Sequence, residues 1–164
     1  MKNLQQQISE KIEQATDILK KFGMPSAQLN DRTAYCLLAL LNVTPEKSWR
    51  NIENPLIGIT PMMDFTKTNY LKEYAPNSRE TFRRFSVHQL VQAGIVLYNP
   101  DDSSRPVNSP KAVYQISPAA FDVIKTYGTK DFEPKLQDFL KNQIVSNLVR
   151  NFVSEKSLKS IMLR

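Results

Sequence analysis

The sequence has 164 residues, 41% of them hydrophobic and 23% charged, with one cysteine and one histidine. That length and balance fit an ordinary globular protein with a real core, while a lone Cys36 and a lone His88 exclude a disulfide framework and a zinc ligand set. A formal net charge of +6 and a pI near 9.4 favour a polyanionic partner without identifying one.

The opening "MKNLQQQISEKIEQ" is polar and amphipathic, unlike a signal peptide, and the longest apolar run, "CLLALL", is too short to span a bilayer. The expectation is a soluble, cytoplasmic protein with no membrane partner. A first helix is predicted over residues 3–22, where Leu4, Ile8, Ala15, Ile18, Leu19 and Phe22 share a face. Gly23 and Pro25 close it. A second helix runs from an Asn30 or Asp31 cap through "RTAYCLLALLN". Its near-continuous apolar character predicts the centre of the core, with Cys36 as a small buried apolar residue.

"TPEKSW" reads as a short third helix with Thr44 as cap and Pro45 in its first turn, and "ENPLIG" as a connecting turn. Thr60-Pro61 repeats the start signal and opens a helix to about Tyr74. Only "APN" then separates it from "PNSRETFRRFSVHQLVQAGI", residues 76–95. Asn77 and Glu80 are spaced as a capping box and Gly94 is a natural stop. Two helices joined by so short a turn match a helix-turn-helix, the second being the recognition helix.

"IVLYN" and "AVYQI" are strand-like, and the polar loop "PDDSSRPVNSPK" between them is full of turn formers. A helix-turn-helix followed by a β-hairpin is a winged helix. "SPAAFDVIKTYG" is a further Ser-capped, Gly-stopped helix. A long amphipathic helix follows from about Glu133 to Val153, with Leu136, Leu140, Ile144, Leu148 and Phe152 stepping every four residues. The expected fold is mainly α with a small β-hairpin: a winged helix-turn-helix core with extra N- and C-terminal helices. It is expected as one domain over residues 1–164, with an N-terminal helix at 3–29, the helix-turn-helix plus wing at 30–116, and C-terminal helices at 117–164.

At an ideal pitch of about 100° per residue, Phe82, Phe85, Ser86, Leu90 and Ala93 gather on the core side of the 77–93 helix, with Gln89 among them. Asn77, Thr81, Arg84 and His88 fall in one opposite stripe, and Arg79 and Arg83 flank the apolar face. Arginine donates two hydrogen bonds to guanine O6 and N7, and threonine and histidine suit shorter polar contacts in the major groove. Flanking arginines and the wing residues Arg105, Asn108, Ser109 and Lys111 suit phosphates, with Arg105 also placed to enter a minor groove.

The segments "PLIGITPMMDF", "YAPNSRETFRRFSVHQLVQAGI", "NPDDSSRPVNSPKAVYQIS" and "YGTKDFEPKL" resemble the N-terminal helix-turn-helix region of the BsuBI/PstI family of type II restriction endonucleases. The resemblance runs in order from about Arg32 to Leu140. It implies recognition of a short double-stranded DNA palindrome, usually by a homodimer, within a restriction-modification system. It also implies a Mg²⁺-dependent nuclease centre in a C-terminal catalytic domain, which this chain is expected to lack. The chain looks like the recognition half alone, a natural fragment or an excised piece, with no cofactor of its own.

A nuclease-like pattern does occur, Pro100-Asp101 followed by Glu133-Pro134-Lys135. A Mg²⁺ centre needs such groups on adjacent strands of a rigid sheet, whereas Asp101 is expected in a wing loop and Glu133 and Lys135 at a helix start. No glycine-rich phosphate loop is present, and Ser86 and His88, two apart, point to different helix faces. Three functions remain in view: the DNA-recognition part of a restriction endonuclease, a free-standing winged-helix transcriptional regulator, and a winged helix that binds only protein.

Overall fold

The computed structural model describes the backbone of residues 2–106 and 109–162 and the side chains through residue 153. Helix α2 (Asp31–Leu40) is central, with every side chain from Thr33 to Leu40 buried. Asn30 caps it by accepting a hydrogen bond from the Thr33 N–H at 3.0 Å. Helix α1 (Leu4–Lys21) packs along α2 through Ile8, Ala15, Ile18 and Leu19. A reciprocal capping box between Asn3 and Gln6 starts it. It ends at Gly23, whose φ of 87° lets the Met24 N–H return to the Leu19 carbonyl. These two helices form as their sequences predict.

The third predicted helix does not form. Residues 44–47 make a turn, and Trp49–Asn51 is a single 3₁₀ turn capped by Ser48. The Trp49 indole is buried, donates to Gln14 Oε1 at 2.7 Å and meets the Tyr127 ring edge-on. Anchoring one large aromatic on α1 outweighs the weak start signal of Thr44-Pro45.

Helix α3 (Ile59–Tyr70) has Gly58, not Thr60, at its N-cap and stops before the predicted Tyr74. Leu71 is left-handed, with φ at 56°, and the Tyr70 hydroxyl donates to the Val43 carbonyl at 2.6 Å. The freed chain lets Tyr74 lay its ring against Phe82, with centroids 4.8 Å apart. The link to the next helix therefore runs over residues 71–78, including the 3₁₀ turn Pro76–Ser78, and is longer than "APN" suggested.

The next helix is interrupted. Helix α4 (Arg79–Phe82) passes into a π-helical turn (Arg83–Val87) and on into α5 (His88–Gln92). Within it the His88 N–H donates to the Arg83 carbonyl, five residues back. The Asn77–Glu80 capping box is not made: α4 begins without a side-chain cap, and Glu80 pairs forward with Arg83. The inner side of the wide turn carries a polar contact. The buried Ser86 hydroxyl sits 2.8 Å from Thr33 Oγ1 and accepts from Arg32 Nε at 2.9 Å. Ser86 and Val87 are buried together with Phe82 and Leu90, the hydroxyl satisfied by its two partners. Phe85, placed in the core by uniform pitch, is instead 51% exposed.

Gly94, with φ at 79°, ends α5, and the Ile95 N–H returns to the Leu90 carbonyl. Strands β1 (Val96–Tyr98) and β2 (Tyr114–Ile116) pair antiparallel, with Val96 opposite Ile116 and Tyr98 opposite Tyr114. The far edge of β2 is covered by a bridge from Ile57 to Tyr114 and by the Asn54 amide, which bonds both polar groups of the Ile116 backbone. Helix α6 (Pro118–Ile124), capped by Ser117, stops short of Gly128. Beyond it, Tyr127 turns its hydroxyl onto Asp17 of α1 at 2.6 Å.

Helix α7 (Phe132–Met162) buries Phe132, Leu136 and Phe139 and rests Leu140 against the core. Further along, Ile144, Val145, Leu148 and Val149 are all more than half exposed. The predicted apolar row is thus covered in its first part only. Among the described residues no helix is long and apolar enough to cross a membrane.

Candidate nucleic-acid interface

Residues 79–84 hold three arginines and one glutamate, and they face two ways. Arg79 and Arg83 line a cleft of about 210 Å³ between α4 and the hairpin, together with Glu80, Tyr98, Ser109 and Tyr114. Arg79 Nε donates to Thr60 Oγ1 at 3.2 Å, tying α4 to the start of α3. Arg83 Nε donates to Glu80 Oε2 at 3.0 Å, and its Nη2 forms a second contact with the same carboxylate. That guanidinium holds the Glu80 carboxyl below the usual carboxylate range, with Arg84 and Arg79 adding to the effect.

Arg84 is exposed on the outer side, its guanidinium over the Phe85 ring at 5.9 Å. Asn77 is exposed at the head of the helix and Thr81 half-buried beside it. In the hairpin loop, Lys111 is exposed and its N–H donates to Ser109 Oγ at 3.1 Å. Asn108 lies outside the described residues.

Two predicted contact residues are placed differently. His88 leaves the outer stripe: its Nε2 is 3.1 Å from the Tyr114 hydroxyl, and its ring packs against Tyr98 and Tyr114. The wide turn before it rotates the ring from open solvent toward the hairpin. Arg105 does not project from the loop. It forms a two-pronged pair with Asp101, both contacts 3.0 Å, and donates to Asn99 Oδ1 at 2.9 Å. The same Asn99 oxygen accepts from the Val113 N–H, so Arg105 is built into the base of the loop. Sequence contained the clue, since Asp101 precedes Arg105 by four residues. Phe85 was missed as a surface residue. Its signal was the five-residue step from Phe82 to Val87, too wide for one α-helical face.

Burial lowers the His88 pKa below its ordinary 6.5, and the nearby Arg83 charge acts in the same direction against Glu80. A histidine kept neutral in the fold binds fewer protons folded than unfolded. Its stabilising contribution is therefore complete above about pH 6.5 and is lost as pH falls through that value toward the lower folded pKa. Thermal melts from about pH 7.5 down to 5.5 should decline more steeply for wild type than for His88→Gln. Parallel declines would show that His88 carries none of this dependence.

The nuclease-like pattern does not assemble. Asp101 is engaged by Arg105 in the hairpin loop, while Glu133 and Lys135 stand in the first turn of α7. Among the described residues no three His, Cys, Asp or Glu side chains gather in a metal-holding group.

The arginine-bearing helix follows α3 through the 71–78 link and lies beside a small sheet, and comparison with known proteins gives the class of this domain. Residues 9–147 match the BsuBI/PstI restriction endonuclease HTH domain, and the chain belongs to that family. It is 53% identical over 150 residues to the type II restriction enzyme BsuBI of Bacillus subtilis, covering 92% of this chain and 47% of that protein. It is 38% identical over 129 residues to the type II restriction enzyme AplI of Arthrospira platensis, covering 79% of this chain and 40% of that one. The solved structure of the SdaI restriction endonuclease superposes with a TM-score of 0.76 at 37% identity, over 79% of this chain and 41% of SdaI. The chain thus spans less than half the length of the relatives it matches.

Proposed function

We propose that this chain is a winged helix-turn-helix that binds double-stranded DNA at a specific short palindrome, as the recognition part of a type II restriction endonuclease in a restriction-modification system. The observation that carries this reading is the outward Arg84 face of the 79–92 helix, flanked by a hairpin, in a chain of a restriction endonuclease family. Family membership weighs for this reading over a free-standing transcriptional regulator. In it the α4–α5 helix enters the major groove, with Arg84, Thr81 and Asn77 toward base edges. Arg79, Arg83, Ser109 and Lys111 meet phosphates from the cleft and the wing, joined by Asn108. His88 and Arg105 support the interface from within: one sets the helix against the wing, the other holds the wing loop.

Mg²⁺ and the cutting chemistry belong, in this reading, to a C-terminal catalytic domain of the complete cytoplasmic enzyme. That domain or a second copy in a homodimer covers the exposed Ile144–Val149 stretch of α7. The reading is tested by selecting bound sequences from a random duplex pool with the purified chain. Enrichment of one short sequence with two-fold symmetry is expected. A pool that emerges no different from the input would refute sequence-specific binding.

A further inference from the structure

Phe85 is turned outward by its neighbours on both sides. Ser86 is tied inside to Thr33 and Arg32, and the turn spanning residues 83–87 is widened by one residue. On the outer side Arg84 lays its guanidinium over the Phe85 ring. The ring is 51% exposed on a helix whose Phe82, Val87 and Leu90 are fully buried and whose Val91 is partly buried against the core. A single exposed apolar residue is ordinary on a protein surface. One beside Arg84, on the outer face of a groove-entering helix, is where apolar contact carries sequence information.

Thymine is the base that offers an apolar group in the major groove, its C5-methyl. The guanidinium covers part of the ring and keeps its own N–H edges free for acceptors on a neighbouring base. We propose that Phe85 is a sequence-reading residue that packs on the C5-methyl of a thymine, at a base pair adjoining the one addressed by Arg84. The proposal rests on the chain being a major-groove binder.

The test begins with the duplex enriched by the wild-type chain and replaces each thymine, one at a time, by deoxyuridine, which differs only in lacking the methyl group. Burial of one methyl corresponds to about a fourfold difference in affinity. Wild type should lose about that factor at one thymine position, symmetry-related copies counted together. Phe85→Ala should bind the thymine and uracil duplexes alike at that position while keeping wild-type discrimination elsewhere. Phe85→Leu, which retains an apolar tip, should keep part of the preference. Circular dichroism melts of both variants confirm that the fold is intact.

The proposal is overturned if wild type tolerates uracil at every thymine, or if Phe85→Ala keeps the full thymine preference. It is also overturned if Phe85→Ala weakens cognate and scrambled duplexes by the same factor, which marks a packing or backbone role. Failure of the underlying reading looks different, because wild type then enriches no duplex at all.

Discussion

Replacing Phe82 with alanine should destabilise the protein by about 3–5 kcal/mol, the range for removing a fully buried aromatic ring. Phe82 has no exposed surface and meets Tyr74 edge-to-face at 4.8 Å. It is the inward residue just before the wide turn, so its loss opens a cavity where α4, α2 and the 71–78 link converge. Against a typical total stability of about 5–15 kcal/mol, such a loss can consume most of the margin. Urea unfolding should therefore show a large fall in midpoint for Phe82→Ala and a smaller one for Phe82→Leu, which fills part of the space. Leu97→Ala, on the outer face of β1, should change little. A Phe82→Ala curve overlying wild type would mean that this ring does not hold the helix to the core.

Arg84→Ala should weaken binding to the selected duplex by about 1–3 kcal/mol, or roughly 5- to 150-fold, and relax preference at one base pair. The side chain is exposed and its contact in the free protein is the neighbouring Phe85 ring, so stability should be nearly unchanged. Lys111→Ala provides the contrast. Removing a phosphate-binding charge from the wing should lower affinity for cognate and scrambled duplexes alike and reduce the salt dependence by about one unit of slope. Titrations of both variants against both duplexes at several salt concentrations separate the roles. Equal weakening on both duplexes for Arg84→Ala would make it a phosphate clamp, and no change on either would remove this helix from the interface.

Sequence was most legible where local chemistry decides. The helix start at Asn30 or Asp31, the Gly23 and Gly94 stops, the unbroken apolar run of α2 and the two hairpin strands were all readable, because each depends on residues a few positions apart. The wide turn was not. It accompanies a buried contact from Ser86 to Thr33, 53 positions away, and a periodic pattern contains no trace of such a partner. The same turn accounts for both errors on the helix surface, Phe85 placed inside and His88 placed outside. Residues 44–51 failed for a related reason: Trp49 is captured by Gln14, 35 positions earlier. Of the candidate contact residues, Arg79, Arg83 and Arg84 were named from composition and spacing, but not that Arg79 and Arg83 line a cleft while Arg84 is exposed. Arg105 was named as a candidate wing contact, and its pairing with Asp101 was not anticipated.

The capture of Trp49 also gives the protein an optical label of its own. It is the single tryptophan of the chain, with its indole N–H on Gln14 of α1 and its ring against Tyr127. An indole held this way emits toward the blue and shifts to the red when α1 peels away. Arg79, Arg84 and Lys111 belong to α4, the turn after it and the hairpin loop. Unfolding and ligand capture can thus be followed in one cuvette through separate signals, intrinsic emission for the first and a dye on the duplex for the second.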